Sequence, residues 1–280
     1  MSGDRPGAAE RRVDCERIAG AAADLLRSRF GDPGDVRAKG SPHLAYDVVT
    51  EVDLLAERIV LDGIAQVAPD ALVLAEEGGL TTSTGARSDV RPADAEELWI
   101  VDPLDGTINF AHGIPHFAVS VACWRQGEPV AGAIIDPMVG ETFSVEVGGA
   151  HGDRAFHDGR VVAPVDPGGA ANALVYVGSS VRRVPELLRS FRGTRQLASA
   201  CLALAWTGVG RTGAYVQLGG LNAWDWAVGA PFVQAARWRV TDERCESWSQ
   251  PLDSTTGIVA AAPSVHVEVA RMVADARASR

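Results

Sequence analysis

Two aspartates three residues apart, Asp102 and Asp105, lie in the string Trp99-Ile-Val-Asp102-Pro-Leu-Asp105-Gly-Thr107-Ile-Asn-Phe110. The apolar run from Leu98 to Val101 predicts a strand that delivers both carboxylates to its end. Pro103 stiffens the turn between them, Gly106 lets the backbone bend sharply, and Thr107 is suited to open a helix. Such a junction suits both charges of a metal–phosphate pair. Carboxylate oxygens hold a hard cation such as Mg2+, and the free N–H groups of a helix start receive phosphate. Taken alone, the string also reads as an ordinary strand–turn–helix junction with Asp as a turn former.

Three further acidic positions could join that chemistry. Glu76-Glu77 follows the apolar run Leu72 to Ala75 and lies at a second strand end, where a solvated pair reads equally well. Asp225, in Asn222-Ala-Trp-Asp225-Trp-Ala227, opens an apolar helical stretch that runs to about Arg237, and a first-turn charge there also suits the helix dipole. Asp53 closes Asp47-Val-Val-Thr50-Glu-Val-Asp53. Thr50 with an acid three residues on resembles a capping box, and the same carboxylate could instead orient a water or hydroxyl near a metal.

In chain order Asp47–Asp53, Glu76-Glu77, Trp99–Phe110 and Ala223-Trp-Asp225 follow one another, and together they closely resemble the inositol monophosphatase family of Mg2+-dependent phosphomonoesterases over roughly residues 10 to 275. His112-Gly-Ile-Pro-His-Phe-Ala-Val-Ser120, Ala155-Phe-His-Asp-Gly159 and Ala198-Ser-Ala-Cys201 are secondary echoes of the same family. The resemblance implies a five-layer αβαβα sandwich of mixed α+β and α/β character, a homodimer, two or three Mg2+ ions and sensitivity to Li+. It implies that Glu76, Asp102, Asp105 and Asp225 supply carboxylate ligands and that Leu104 supplies its carbonyl. It further implies that Thr107, paired with Asp53, helps activate the attacking water, which Glu76 also touches, and that the Gly106 and Thr107 N–H groups hold phosphate oxygens. Ala198, Gln217 and Asp225 fall at substrate contacts. The chemistry is coherent, because a bound cation lowers the pKa of water while cations and N–H donors meet the charge on the transferring phosphoryl group. It needs no activated Ser, Cys or His.

The sequence also departs from the family pattern. Gln217 stands about where many members carry a glutamate that contacts substrate hydroxyls, and the spacing from there to Asp225 is one residue longer than usual. Arg237-Trp238 replaces a usual Gly-Gly pair, and Ala198 replaces a common glycine. None of these touches the proposed metal ligands, so the expected chemistry stands. Losing a carboxylate that accepts from hydroxyls weakens polyol recognition. Inositol phosphate is therefore only the leading candidate, with histidinol phosphate, fructose 1,6-bisphosphate and, last, a nucleotide 3′-phosphate as competitors.

The elements that must position these residues can be read from periodicity. An apolar stripe from Glu10 to about Arg29 predicts a helix behind a loose tail at residues 1–8, stopped by Gly31 and Pro33. A second helix is expected after Thr50, running to about Val67 before Pro69. Leu72–Ala75 and Leu98–Asp102 read as strands, with Thr81–Glu97 as a surface loop. Phe117–Trp124, Pro129–Ile135 and Glu141–Val147 read as an antiparallel meander. Strands near 173–178, 213–217 and 256–262 then alternate with helices near 184–191, 198–209, 225–237 and 264–276. A composition shift near 150 divides an N-terminal α+β sub-domain, 1–150, carrying most of the metal ligands, from a C-terminal α/β sub-domain, 151–280, carrying Asp225 and the substrate contacts.

Composition removes other classes. With 280 residues, 46% hydrophobic and 22% charged, the chain is long and apolar enough for a real core. A net charge of −10 argues against nucleic-acid binding by phosphate neutralisation. No apolar run approaches the ~18 residues of a membrane span, and the polar N-terminus lacks a signal-peptide core. The expected partner is thus a small phosphorylated metabolite, with no nucleic acid and no membrane. The four cysteines, Cys15, Cys123, Cys201 and Cys245, lie far apart and read as reduced thiols of a cytoplasmic protein. Gly208-Val-Gly-Arg-Thr-Gly213 has dinucleotide-binding spacing but follows a helix and precedes a strand, the reverse of what that motif requires. A different class of function, a partner-binding regulatory protein on a retained phosphatase scaffold, is the alternative to hydrolysis.

Overall fold

Cys15, Ile18, Ala19, Ala22, Ala23 and Leu26 recur at helical spacing and are buried along one side of α1 (Ala8–Arg29). In the computed structural model, which describes residues 5–38, 48–69, 71–179, 184–248 and 250–278, that stripe packs on α2 (Glu51–Val67) and on a large sheet. Burying each large aliphatic side chain of this kind contributes about 1.5–3 kcal/mol. α1 is opened by the Glu10 carboxylate, which accepts from Gly7 N at 2.8 Å. A short antiparallel ribbon of β1 (Val36–Ala38) and β2 (Val48–Thr50) leads into α2. Asp47 lies outside the described residues.

The large sheet has eight strands: β3 (Leu72–Ala75), β4 (Gly79–Thr82), β5 (Leu98–Asp105), β6 (Ala118–Arg125), β7 (Glu128–Asp136), β8 (Glu141–Gly149), β9 (Gly152–His157) and β10 (Arg160–Val161). Their spatial order is β10-β9-β8-β7-β6-β5-β3-β4. All neighbours are antiparallel except β3 and β5, which run parallel. The expected meander is therefore present as β6–β8. β4 corrects the expectation of a loop from Thr81, since pairing with β3 overrides the polar composition of Gly79–Thr82.

β5 and β6 are buried on both faces, and successive side chains alternate between two cores. Trp99, Val101, Val119, Val121 and Cys123 face the layer of α1 and α2, whereas Leu98, Ile100, Ala118, Ala122 and Trp124 face the opposite side. That second side is covered by α5 (Ala200–Gly208), α6 (Ala223–Trp226) and α7 (Gly229–Ala235). α5 and α7 also touch a five-stranded sheet ordered β12-β11-β13-β15-β14, made of β11 (Leu174–Val177), β12 (Gly193–Arg195), β13 (Ala214–Leu221), β14 (Arg239–Thr241) and β15 (Thr256–Ala261). α8 (Pro263–Ala278) packs on β15, completing five αβαβα layers. The remaining helices, α3 (Thr107–Ala111) and α4 (Leu187–Ser190), are single turns. Among the described residues no helix is long and apolar enough to cross a membrane.

The single helix expected from Asp225 to Arg237 is two helices, with Pro231 in the first turn of the second, where its missing N–H is tolerated. α7 ends in a left-handed residue, and that residue is Arg237, with φ 68°. Arg237 N donates to Gln234 O at 2.9 Å and Trp238 N to Val233 O at 3.1 Å, the two hydrogen bonds of a Schellman cap. The cap is thus kept without the glycine that normally supplies it.

Candidate active site

Strand polarity begins the site. β3 and β5 run in the same direction with Ala75 opposite Val101, so the next residues, Glu76 and Asp102, emerge side by side. Their side chains hydrogen-bond to one another. In a regular strand Asp102 and Asp105, three apart, would point to opposite faces. The pairing of β5 with β6 instead shifts register between them: Asp102 faces Ser120 and Asp105 faces Ala118. One extra residue on β5 is a bulge, and it turns both carboxylates to one side. Pro103 fits there because a bulge has no need of its N–H. Leu104 N closes the turn by donating to Asp102 Oδ1 at 3.1 Å.

Asp105 is fixed from across the sheet by the start of α5. Its carboxylate accepts from Ala200 N at 3.2 Å, from Cys201 N at 2.9 Å and from the Ser199 hydroxyl. Ser199 also caps that helix, accepting from Leu202 N at 3.2 Å. An anion at the first turn of a helix is favoured both by the unpaired N–H groups and by the dipole. The helix therefore holds Asp105 and Asp105 completes the helix.

Asp53 shows that its two sequence readings are compatible. It is the third residue of α2 and is 1% exposed. Its Oδ2 accepts from Thr50 N at 2.8 Å and from the Thr50 hydroxyl, as in a capping box. Its Oδ1 remains for the site and accepts from Thr107 Oγ1 at 3.0 Å. Thr107 Oγ1 is also 3.0 Å from Leu104 O. The single hydroxyl hydrogen is shared between these two acceptors. Thr107 begins α3 but does not cap it: the cap residue is Gly106, at φ 95°, where a Cβ would meet His116 O at 3.1 Å. Only glycine fits that turn without displacing a backbone oxygen, and this frees the Thr107 hydroxyl for Asp53.

Asp225 repeats the arrangement of Asp53. It is the third residue of α6, and its Oδ2 accepts from Asn222 N at 2.7 Å. Its charge, with those of Glu76 and Asp105, bears on Asp102. Cys201 comes into the same space. Its thiol contacts Asp225 O at 3.6 Å and Trp224 O at 3.8 Å, and its sulfur lies with Asp102 and Asp105 in a buried group whose ligand atoms are all within 4.8 Å of one another.

Burial, then the negative charges of Glu76, Asp105 and Asp225, hold Asp102 well above the usual carboxylate range. Burial pushes Asp105 up to about 6, against hydrogen bonds from Ser199, Cys201 and Ala200 that favour its charged form. Burial also raises Asp53, opposed by the hydrogen bonds from Thr50 and Thr107. Burial and neighbouring negative charge dominate at Asp102, so the cluster demands compensating positive charge. Buried carboxylate oxygens with that demand fit a hard divalent cation. Burial and the nearby aspartates keep the Cys201 thiol protonated, well above its ordinary range, so it adds no thiolate.

Ala198 precedes Ser199 and adopts φ 53°, a left-handed conformation costly for any residue with a Cβ. Gln217 is 7% exposed on β13, and its Nε2 donates to Gly219 O at 2.8 Å. Periodicity and spacing did not single out Ser199 or Asn109. Asn109 is buried in α3 and donates to His116 O at 2.7 Å and to Leu197 O at 2.6 Å, tying the turn after β5 to the loop before α5. A Ser just before an apolar helical run was a readable cap signal; the Asn109 bridge, 88 residues long in sequence, had none.

The layered fold and the buried acidic cluster are those of a phosphoric monoester hydrolase. The chain belongs to the inositol monophosphatase family, whose profile matches residues 10–278. Over 281 aligned residues it is 36% identical to the inositol-1-monophosphatase SuhB of Mycobacterium tuberculosis, covering 92% of this chain and 91% of that protein. It is 34% identical over 210 residues to the Nus factor SuhB of Pseudomonas aeruginosa, covering 71% of this chain and 73% of that one. Among solved structures, the IMPase of Thermotoga maritima superposes with a TM-score of 0.82 at 29% identity, covering 96% of this chain and 99% of the other.

Proposed function

We propose that this chain hydrolyses a small phosphate monoester, an inositol or related polyol phosphate foremost, at a Mg2+ site formed by Glu76, Asp102, Asp105, Asp225 and the Leu104 carbonyl. The observation that carries the reading is the β5 bulge, which turns Asp102 and Asp105 to one side within reach of the Thr107–Asp53 pair. Bound Mg2+, two or three ions by family resemblance, supplies charge for the phosphoryl oxygens and acidifies water. The chain's own residues do the rest. Thr107 Oγ1 accepts a proton from the attacking water while donating its own to Asp53 Oδ1, so Asp53 is the terminal base. Its upward shift keeps it basic enough to take that proton. The N–H groups of Gly106 and Thr107 steady the phosphate. Ser199 and the start of α5 hold Asp105 in place.

Gln217, with its amide turned to Gly219 O, presents a neutral side chain where a hydroxyl-binding carboxylate is usual. Histidinol phosphate and fructose 1,6-bisphosphate therefore compete with inositol 1-phosphate. Phosphate release from these esters, with and without Mg2+ and beside Asp102→Asn, is the test. Mg2+-dependent turnover lost in the variant supports the reading, and absence of turnover on every ester by folded, metal-loaded protein overturns it. The Nus factor name of one relative favours a second reading, in which this chain also binds a protein partner. Partner capture that survives Asp102→Asn separates that role from hydrolysis. Light scattering tests the homodimer.

A further inference from the structure

α2 carries a second buried carboxylate one turn beyond Asp53. Glu57 is four residues on, so it shares a helix face with Asp53, and it is 8% exposed. Its Oε2 accepts from two successive backbone N–H groups, Glu77 N at 3.2 Å and Gly78 N at 3.3 Å. Those N–H groups belong to the three-residue turn, 76–78, that joins β3 to β4 and carries Glu76. The fit is close from the other side too, since a Cβ on Gly78 would lie 2.9 Å from Glu57 Oε1. A carboxylate paired with main-chain N–H donors makes charge-assisted hydrogen bonds, stronger than neutral ones.

We propose that Glu57 is a positioning residue for the metal site, fixing Glu76 through the main chain of its turn. The inference rests on the reading of Glu76 as a ligand. α2 then meets both arms of the site: Asp53 touches the β5–α3 junction at Thr107, and Glu57 holds the β3–β4 turn. A burial or packing role alone would require neither charge nor acceptors facing two consecutive N–H groups. Groups that orient metal ligands without touching the ion change affinity by about 10–100-fold when removed.

The test is calorimetric binding of Mn2+ to the full chain, with Glu76→Gln as the reference for a lost ligand. Glu57→Ala is expected to weaken Mn2+ binding by about tenfold or more, and to raise the Mg2+ concentration for half-maximal phosphate release in parallel. Glu57→Gln, which keeps one amide oxygen as acceptor, is expected to recover part of that loss. If Glu57→Ala does not fold, Gly78→Ala presses on the same carboxylate from the turn and is expected to weaken binding likewise. A lower melting temperature with wild-type Mn2+ affinity in the folded variants overturns the inference and leaves a packing role. If the wild type binds no Mn2+ and Glu76→Gln changes nothing, the metal-site reading itself fails and Glu57 falls with it.

Discussion

The Thr107 hydroxyl donates to Asp53 Oδ1 at 3.0 Å, although 54 residues separate the two in sequence. That contact joins the start of α2 to the start of α3, and nothing else in either residue needs it. Asp53 already caps its helix through Oδ2, and Gly106 already turns the chain into α3. Thr107→Ala is therefore expected to leave the fold and Mn2+ binding close to wild type. Its kcat should fall by about 10²–10⁴-fold, the usual contribution of a proton-transfer group. A variant with kcat within threefold of wild type would remove the pair from the mechanism.

Stability without metal should run against pH in an unusual sense. Asp105, at about 6 in the folded protein, sits above its unfolded value near 3.9. The unfolded state therefore releases its proton first as pH rises. Between about pH 4 and 6 the folded state loses on the order of 3 kcal/mol through this group, and the loss is complete above that window. Melting in EDTA should show the fall, and Asp102→Asn, which removes an acid that folding forces toward its neutral form, should raise the melting temperature at pH 7. A metal-free melting temperature that rises from pH 4.5 to 6.5 contradicts the cluster's electrostatics.

Protons and cation compete for the same oxygens. The rise in melting temperature on adding Mg2+ should be large at pH 7.5 and small at pH 5. Equal shifts at both values would place the cation elsewhere on the molecule.

Ser199 serves two partners, donating to Asp105 and accepting from Leu202 N. Ser199→Ala is expected to cost about 1–2 kcal/mol, the range of a lost helix cap with a buried hydrogen bond. It should also weaken Mn2+ binding, because Asp105 loses one of three restraints. Chemical denaturation and calorimetry on the same sample read both effects, and a change in stability alone would confine Ser199 to the cap.

Ala198 and Arg237 hold left-handed backbone at φ 53° and φ 68°. Ala198→Gly and Arg237→Gly each relieve a clash of about 1 kcal/mol, partly offset by the greater freedom of glycine when unfolded. Each is expected to raise the melting temperature modestly. A fall at Arg237 would mean that the arginine side chain contributes more than its backbone costs.

Much of the candidate site is legible because its carboxylates sit at the ends of short apolar runs. The strand before Asp102, the helix after Thr50 and the helix after Ser199 all announce themselves by periodicity, and the order of the acidic strings carried the family. Capping and site roles could not be separated at Asp53 from spacing, since one carboxylate has two oxygens and uses each for a different task. The bulge between Asp102 and Asp105 depends on pairing with Ser120 and Ala118, which no local pattern encodes. β4 was hidden because Gly79–Thr82 is polar and is ordered by its partner strand. The Asn109 bridge and the Glu57 clamp depend on distant backbone, and distant backbone leaves no periodic trace.

The parallel alignment of β3 with β5 has an evolutionary and engineering meaning. Glu76 meets Asp102 because two neighbouring strands finish at the same end of the sheet, whatever path the chain takes between them. The connection from Thr82 to Leu98 can accordingly lengthen, shorten or carry an inserted module, provided the Glu97 ion pairs with Arg11 and Arg125 are spared. New features can be grafted there while the pairing of Glu76 with Asp102 is inherited unchanged.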